Sequence, residues 1–158
     1  MSIFLRPSKC ISLLPSPAGA CEAAQDIDKL LAQIAANRRK IKMHTRTKNR
    51  LVEDLQANLR QSAYNSEILT AGQIAQYGGF FRHYDSQTTQ LATCNDTLKD
   101  KMARHKLPQE ILKQHTDLAT VVACLGDIAC TQDNIIQILE NIIAAGREVS
   151  AAIDSISS

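Results

Sequence analysis

Residues 109–158 read QEILKQHTDLATVVACLGDIACTQDNIIQILENIIAAGREVSAAIDSISS, and this stretch decides the fold. Two apolar positions recur in it every seven residues. One runs Ile111, Leu118, Leu125, Gln132, Leu139, Gly146, Ile153; the other runs Val121, Ile128, Ile135, Ile142, Val149, Ile156. Seven residues are close to two turns of an α-helix, so both series fall on one seam. Only Gln132 and Gly146 interrupt the seam, and no proline follows Pro108. The spacing therefore predicts a helix over about 109–156, roughly 70 Å long. Leu112, Val122, Ile136, Ile138 and Ile143 widen the stripe past a two-stranded seam, which favours a bundle of three or more helices. Leu118, Val121, Leu125, Ile128, Ile135, Leu139, Ile142, Val149 and Ile153 are the expected partner-binding surface.

Moving toward the N-terminus, Leu107-Pro108 marks a boundary. Proline suits the first turn of a helix and disfavours helix in the residue before it. Gln109 and Glu110 place polar and negative groups at the positive end of the new helix dipole. Upstream, Tyr84, Leu91, Leu98 and His105 recur every seven residues, with Cys94 and Met102 close to the same line, predicting a shorter helix over about 80–105. Paired glycines cost about 1 kcal/mol each inside a helix, so Tyr77-Gly78-Gly79 is expected to mark a break. A first helix is expected over about 22–72. Its seam takes Ile27, Leu30, Ile34, Ile41, Leu51 and Leu55, with Leu59 beside it, but also Asn37, His44, Lys48 and Asn58. Polar seam residues lower stability and fix register and partner number. Residues 1–21 carry Arg6 and Lys9, no acid, and three prolines (Pro7, Pro15, Pro17) that break both an apolar signal core and an amphipathic presequence. They are expected to form a disordered tail ahead of a helical coiled-coil region at 22–158.

Composition agrees with an all-α chain of two to three long helices in an elongated coiled coil or a bundle with partner chains. The 158 residues include three Phe, three Tyr and no Trp, so a thick globular core is poorly supplied with the rings that fill one. No run of 18 apolar residues offers a transmembrane helix. The five cysteines are odd in number and irregularly spaced, without Cys-x-x-Cys, and are expected to be reduced thiols in a cytosolic protein.

The net charge of +2 is unevenly spread. Residues 22–108 hold 14 bases and 9 acids, whereas residues 109–158 hold 2 bases and 7 acids. Arg38, Arg39, Lys40, Lys42, Arg46, Lys48 and Arg50 fall together with no acid among them and with Ile41 and Met43 as apolar neighbours. Two readings stand: a face paired with the acidic last helix, or an electrostatic contact with a polyanion such as an acidic filament or anionic lipid. Nucleic acid is least favoured, because no aromatic residue is interleaved to stack on bases.

No catalytic constellation emerges. His83-Tyr84-Asp85 stands on one short helix with no second motif, and the side chains of His115 and Asp117, two apart on a helix, diverge. Gly78-Gly79 lacks the strand and the Lys-Ser/Thr of a phosphate loop. The residues point to a non-enzymatic protein without cofactor, metal or small-molecule substrate.

The step Leu107-Pro108-Gln109-Glu110, preceded by Leu98-Lys99-Asp100-Lys101-Met102 and followed by Leu118 and a long apolar helix, resembles the subunit 2 family of the augmin (HAUS) complex around residues 98–140. The resemblance implies a coiled-coil subunit of a cytoplasmic, spindle-associated assembly that binds microtubules and supports microtubule nucleation in mitosis. Its partners would be other helical subunits and, through the complex, microtubules. Two alternatives share this kind of sequence: a subunit of a small trafficking adaptor on lysosome-related organelles, and a helical protein of a bacterial secretion apparatus.

Overall fold

The computed structural model describes residues 20–65, 69–104 and 118–157. These residues hold three helices and no strand: α1 (Ala20–Tyr64), α2 (Ala71–Arg104) and α3 (Leu118–Ser157). The all-α class follows directly. Residues 1–19 of the expected tail, the Leu107-Pro108 step, His105, His115 and the first turns expected of the last helix lie outside the described residues, and the last two tail positions already belong to α1.

The helix boundaries differ from expectation at one instructive place. α2 runs through Gly78 and Gly79 without interruption, whereas α1 already ends at Tyr64 and α2 begins at Ala71. The start of α2 is fixed by a reciprocal cap. The Gln73 backbone N–H donates to Thr70 Oγ1 at 3.1 Å, and the Thr70 N–H donates to Gln73 Oε1 at 2.9 Å. This pairing satisfies two of the donors a helix start leaves open. The glycine pair is tolerated because its neighbours hold the helix in place: Tyr77 and Phe80 are both buried in one cluster. Around Gly79 nothing lies within 4 Å of where a Cβ would stand. Gly79→Ala should therefore raise stability by roughly 0.5–1 kcal/mol through helix propensity alone. A urea titration followed by circular dichroism checks this, and a fall in the midpoint would contradict it.

The chain divides into two units, one drawn from residues up to Ile41 and Ala92–Gln137, the other from Lys42–Leu91 and residues from Ile138 on. Each contains a stretch of all three helices. In the first, Ile27, Leu30 and Ile34 of α1 meet Val121, Val122, Leu125, Ile128 and Ala129 of α3, with Leu98 and Met102 of α2 packed against them. Polar residues cross this core. Gln132 Nε2 donates to the Ile34 carbonyl at 3.2 Å, and Asn37 Nδ2 donates to Asp133 Oδ1 at 3.3 Å. Lys101 ties α2 to α3, donating to Asp127 Oδ1 and Thr131 Oγ1 at 2.8 Å each. The Asn37 and Gln132 interruptions read in the two seams thus meet partners across the core. Because Ile34 and Asn37 pair with Gln132 and Asp133 in the same order, α1 and α3 run parallel here.

In the second unit Val52 and Leu55 of α1, Tyr77 and Phe80 of α2 and Val149 and Ile153 of α3 form the core. Phe80 stands edge-on to Phe81 and stacks with Tyr84, at centroid separations of 5.2 and 6.0 Å. Gly146 is buried here for lack of room: a Cβ on it would stand 2.6 Å from Leu51 Cδ2 and 3.3 Å from Phe80 Cε1. The second gap in the apolar repeat is therefore a point where side chains of α1 and α2 crowd against α3.

Candidate functional site

The residues expected to bind partners along α3 converge, but inside the chain. Leu118 is half-buried, and Val121, Leu125, Ile128, Ile135, Leu139, Ile142, Val149 and Ile153 are all buried. The wide stripe that suggested partner helices is thus covered within this chain. A partner contacting those side chains would have to displace the elements covering them.

The surface residues come from α1. With Ile34 and Asn37 facing the first core and Leu55 the second, Arg38, Arg39, Lys40, Lys42, Arg46 and Arg50 are exposed, and Lys48 is half-buried. Arg38, Arg39 and Lys40 belong to the first unit and the other four to the second. None of the seven forms an ion pair among the described residues. The expected pairing of this run with acids of the last helix is accordingly not found there. Besides Asn37 on Asp133, α1 brings His44 near an α3 acid, its Nε2 standing 3.8 Å from Glu140 Oε2, too far for a hydrogen bond.

Within the second unit part of the run frames a hollow of about 370 Å³, lined by Met43, Arg46, Thr47, Arg50, Leu51, Asp54 and Arg147. A second hollow, about 460 Å³, shares Met43, Thr47 and Arg147 and adds His44, Glu140, Ile143 and Ala144. Together they make a groove between α1 and α3. Its rim carries three guanidiniums, Arg46 and Arg50 from α1 and Arg147 from α3. Met43 is 65% exposed, and among the large apolar side chains of the described residues Tyr64 at 86% and Ile74 at 58% are exposed as well. Sequence reasoning found Arg46 and Arg50 but not Arg147, which is isolated in an acidic stretch and joins them only through the fold.

Among the described residues, two thiols and a phenol have shifted acidities. Burial, opposed by nearby Lys101, pushes the Cys94 thiol above its ordinary value; burial and the Asp127 carboxylate push Cys124 the same way. Neither is poised as a thiolate nucleophile. Cys130 is disulfide-bonded. The expectation of five reduced thiols is corrected at this position; Cys94 and Cys124 are free. Burial, with Asp154 nearby, likewise raises the Tyr77 hydroxyl. Among the described residues no group of three or more His, Cys, Asp or Glu side chains could hold a metal ion, and no helix is long and apolar enough to cross a membrane.

The chain matches no protein-family model, no curated protein and no solved structure.

Proposed function

We propose that the chain is a non-enzymatic structural subunit of a helical multi-protein assembly, of the kind its resemblance to augmin subunit 2 implies: a cytoplasmic complex acting on spindle microtubules. The observation that carries this reading is the exposed, unpaired basic run on α1. Seven cations without an ion pair among the described residues, beside an exposed Met43, are suited to an external acidic surface. Microtubule surfaces are acidic and extended, which fits a charge run along one helix. The covered stripe on α3 adds a qualification. In this reading α3 is the chain's own spine, and partner subunits meet the outer faces of α1 and α2.

The test is co-sedimentation of the assembled complex with microtubules. Replacing Arg38, Arg39, Lys40 and Lys42 by Gln should reduce pelleting several-fold, and the wild-type interaction should fade between low and physiological salt as screening sets in. If the wild-type complex fails to pellet at low salt, the microtubule reading is wrong. Recovery of the tagged chain with helical subunits of a membrane-trafficking adaptor would replace it.

A further inference from the structure

The geometry points to an acidic peptide segment as the ligand of the groove between α1 and α3 in the second unit: a partner helix presenting two carboxylates four residues apart and an apolar side chain. This rests on the assembly-subunit reading and gives one contact surface its chemistry.

Arg46 and Arg50 are four residues apart on α1, so they stand side by side, about 5–6 Å apart at Cβ. Arg147 faces the same hollow from α3. All three are exposed, and none is in an ion pair among the described residues. Asp54 is the acid lining that hollow, and Glu140 lines the adjoining one, so the three guanidiniums still outnumber the carboxylates of the groove. Three like charges converging on a concavity repel one another, and an incoming anion relieves that repulsion. Guanidinium forks match carboxylates in two-point contacts, and carboxylates four apart on a helix repeat at the same spacing as Arg46 and Arg50.

The apolar part of the lining separates peptide from other polyanions. Leu51 and the exposed Met43 offer a place for an aliphatic side chain, and the thioether adapts its shape to what it meets. A nucleic acid strand would gain little from that floor, and no aromatic ring lines the hollow to stack on bases. A bilayer meets basic residues on a convex or flat face, whereas these converge on a concavity. The hollow is too small to supply a full interface, so the contact is weak, salt-sensitive and contributes mainly to steering and orientation.

The experiment uses the full chain and a fluorescein-labelled, helix-stabilised peptide with two glutamates four residues apart and a leucine between them, read by anisotropy at low salt. Saturable binding is expected, weakened about tenfold or more in R46Q/R50Q/R147Q and about threefold in R147Q alone, with Met43→Asp also weaker. The same peptide with glutamines should bind at least about tenfold less well. Circular dichroism melting controls for folding; if the triple variant melts lower, the comparison rests on R147Q and the glutamine peptide. Equal binding of the glutamine peptide, or no loss in the arginine variants, overturns the proposal. So does binding of duplex DNA or phosphatidylserine vesicles that the triple variant loses while the peptide does not bind. Any of these would leave the co-sedimentation result standing, so the two failures are distinguishable.

Discussion

Placing glutamate at both Leu125 and Ile135 should unfold the isolated chain rather than merely release it from partners. Both side chains are fully buried within the chain, and Leu125 stands in the core that joins α1 to α3. Each substitution forfeits about 1.5–3 kcal/mol of apolar burial and adds a charge whose desolvation costs several kcal/mol more. Two such changes reach the whole stability of an ordinary domain, about 5–15 kcal/mol. Circular dichroism should show the loss of cooperative helical melting. The repeat on α3 alone leads to a different expectation, in which the double variant stays folded and loses only its partners, while changes at Leu30 and Ile34 do less. In the structure Leu30 and Ile34 are the opposite wall of the same core, so Leu30→Glu with Ile34→Glu should be comparably damaging. A double variant of α3 that melts like wild type would refute the placement of these residues.

Gly146→Leu should also destabilise strongly, although on paper it repairs the apolar repeat. Leucine regains about 0.8–1 kcal/mol of helix propensity over glycine. Against that, even its first carbon would stand 2.6 Å from Leu51 Cδ2 and 3.0 Å from Leu51 Cγ, with the Phe80 ring at 3.3 Å. Overpacking of this kind costs typically 1–3 kcal/mol and rises with each further carbon, so the clash wins. The expected net loss lowers Tm by roughly 2–4 °C for each kcal/mol in a chain of this size. Adding Leu51→Ala should restore part of the loss by vacating the contact, and a double variant no better than Gly146→Leu alone would locate the strain elsewhere. The contrast with Gly79 is direct: open space there lets propensity decide the sign, whereas at Gly146 two neighbours do.

These two glycines show what the sequence could and could not convey. The seven-residue repeat of α3 identified its inward face nearly residue for residue, because a helix that must bury a stripe has to repeat it. What the repeat did not reveal was who covers that stripe, since another stretch of the same chain and a partner leave the same pattern. The Gly78-Gly79 pair suggested a break because its local cost is real, yet the burial of Tyr77 and Phe80 outweighs it. The actual start of α2 was written as Thr70-x-x-Gln73, a capping box whose apolar sequel is weak enough to pass unnoticed. Among the cations, Arg46 and Arg50 were visible as part of a run, but Arg147 lies about a hundred residues away and belongs to the groove only once α3 lies beside α1. The bridge at Cys130 was illegible for a similar reason: an odd, irregular set of cysteines does not encode its pairing.

A repeating stripe also has a weakness of its own kind, that of a ruler whose graduations are all alike. In the first unit Val121, Ile128 and Ile135 follow one another at equal steps, so sliding α3 by seven residues along α1, about 10.5 Å, would bring one apolar side chain to where another had been. Oil against oil would scarcely register the error. The Asn37 carboxamide would, because it donates to one particular carboxylate, that of Asp133, whereas a backbone carbonyl like the one Gln132 meets recurs at every residue. With α3 slid toward its own C-terminus, Gly126 would stand opposite Asn37, and a buried amide left unbonded costs roughly 1–3 kcal/mol. That pair is the numeral on the scale, and without it the helix could be read at more than one mark.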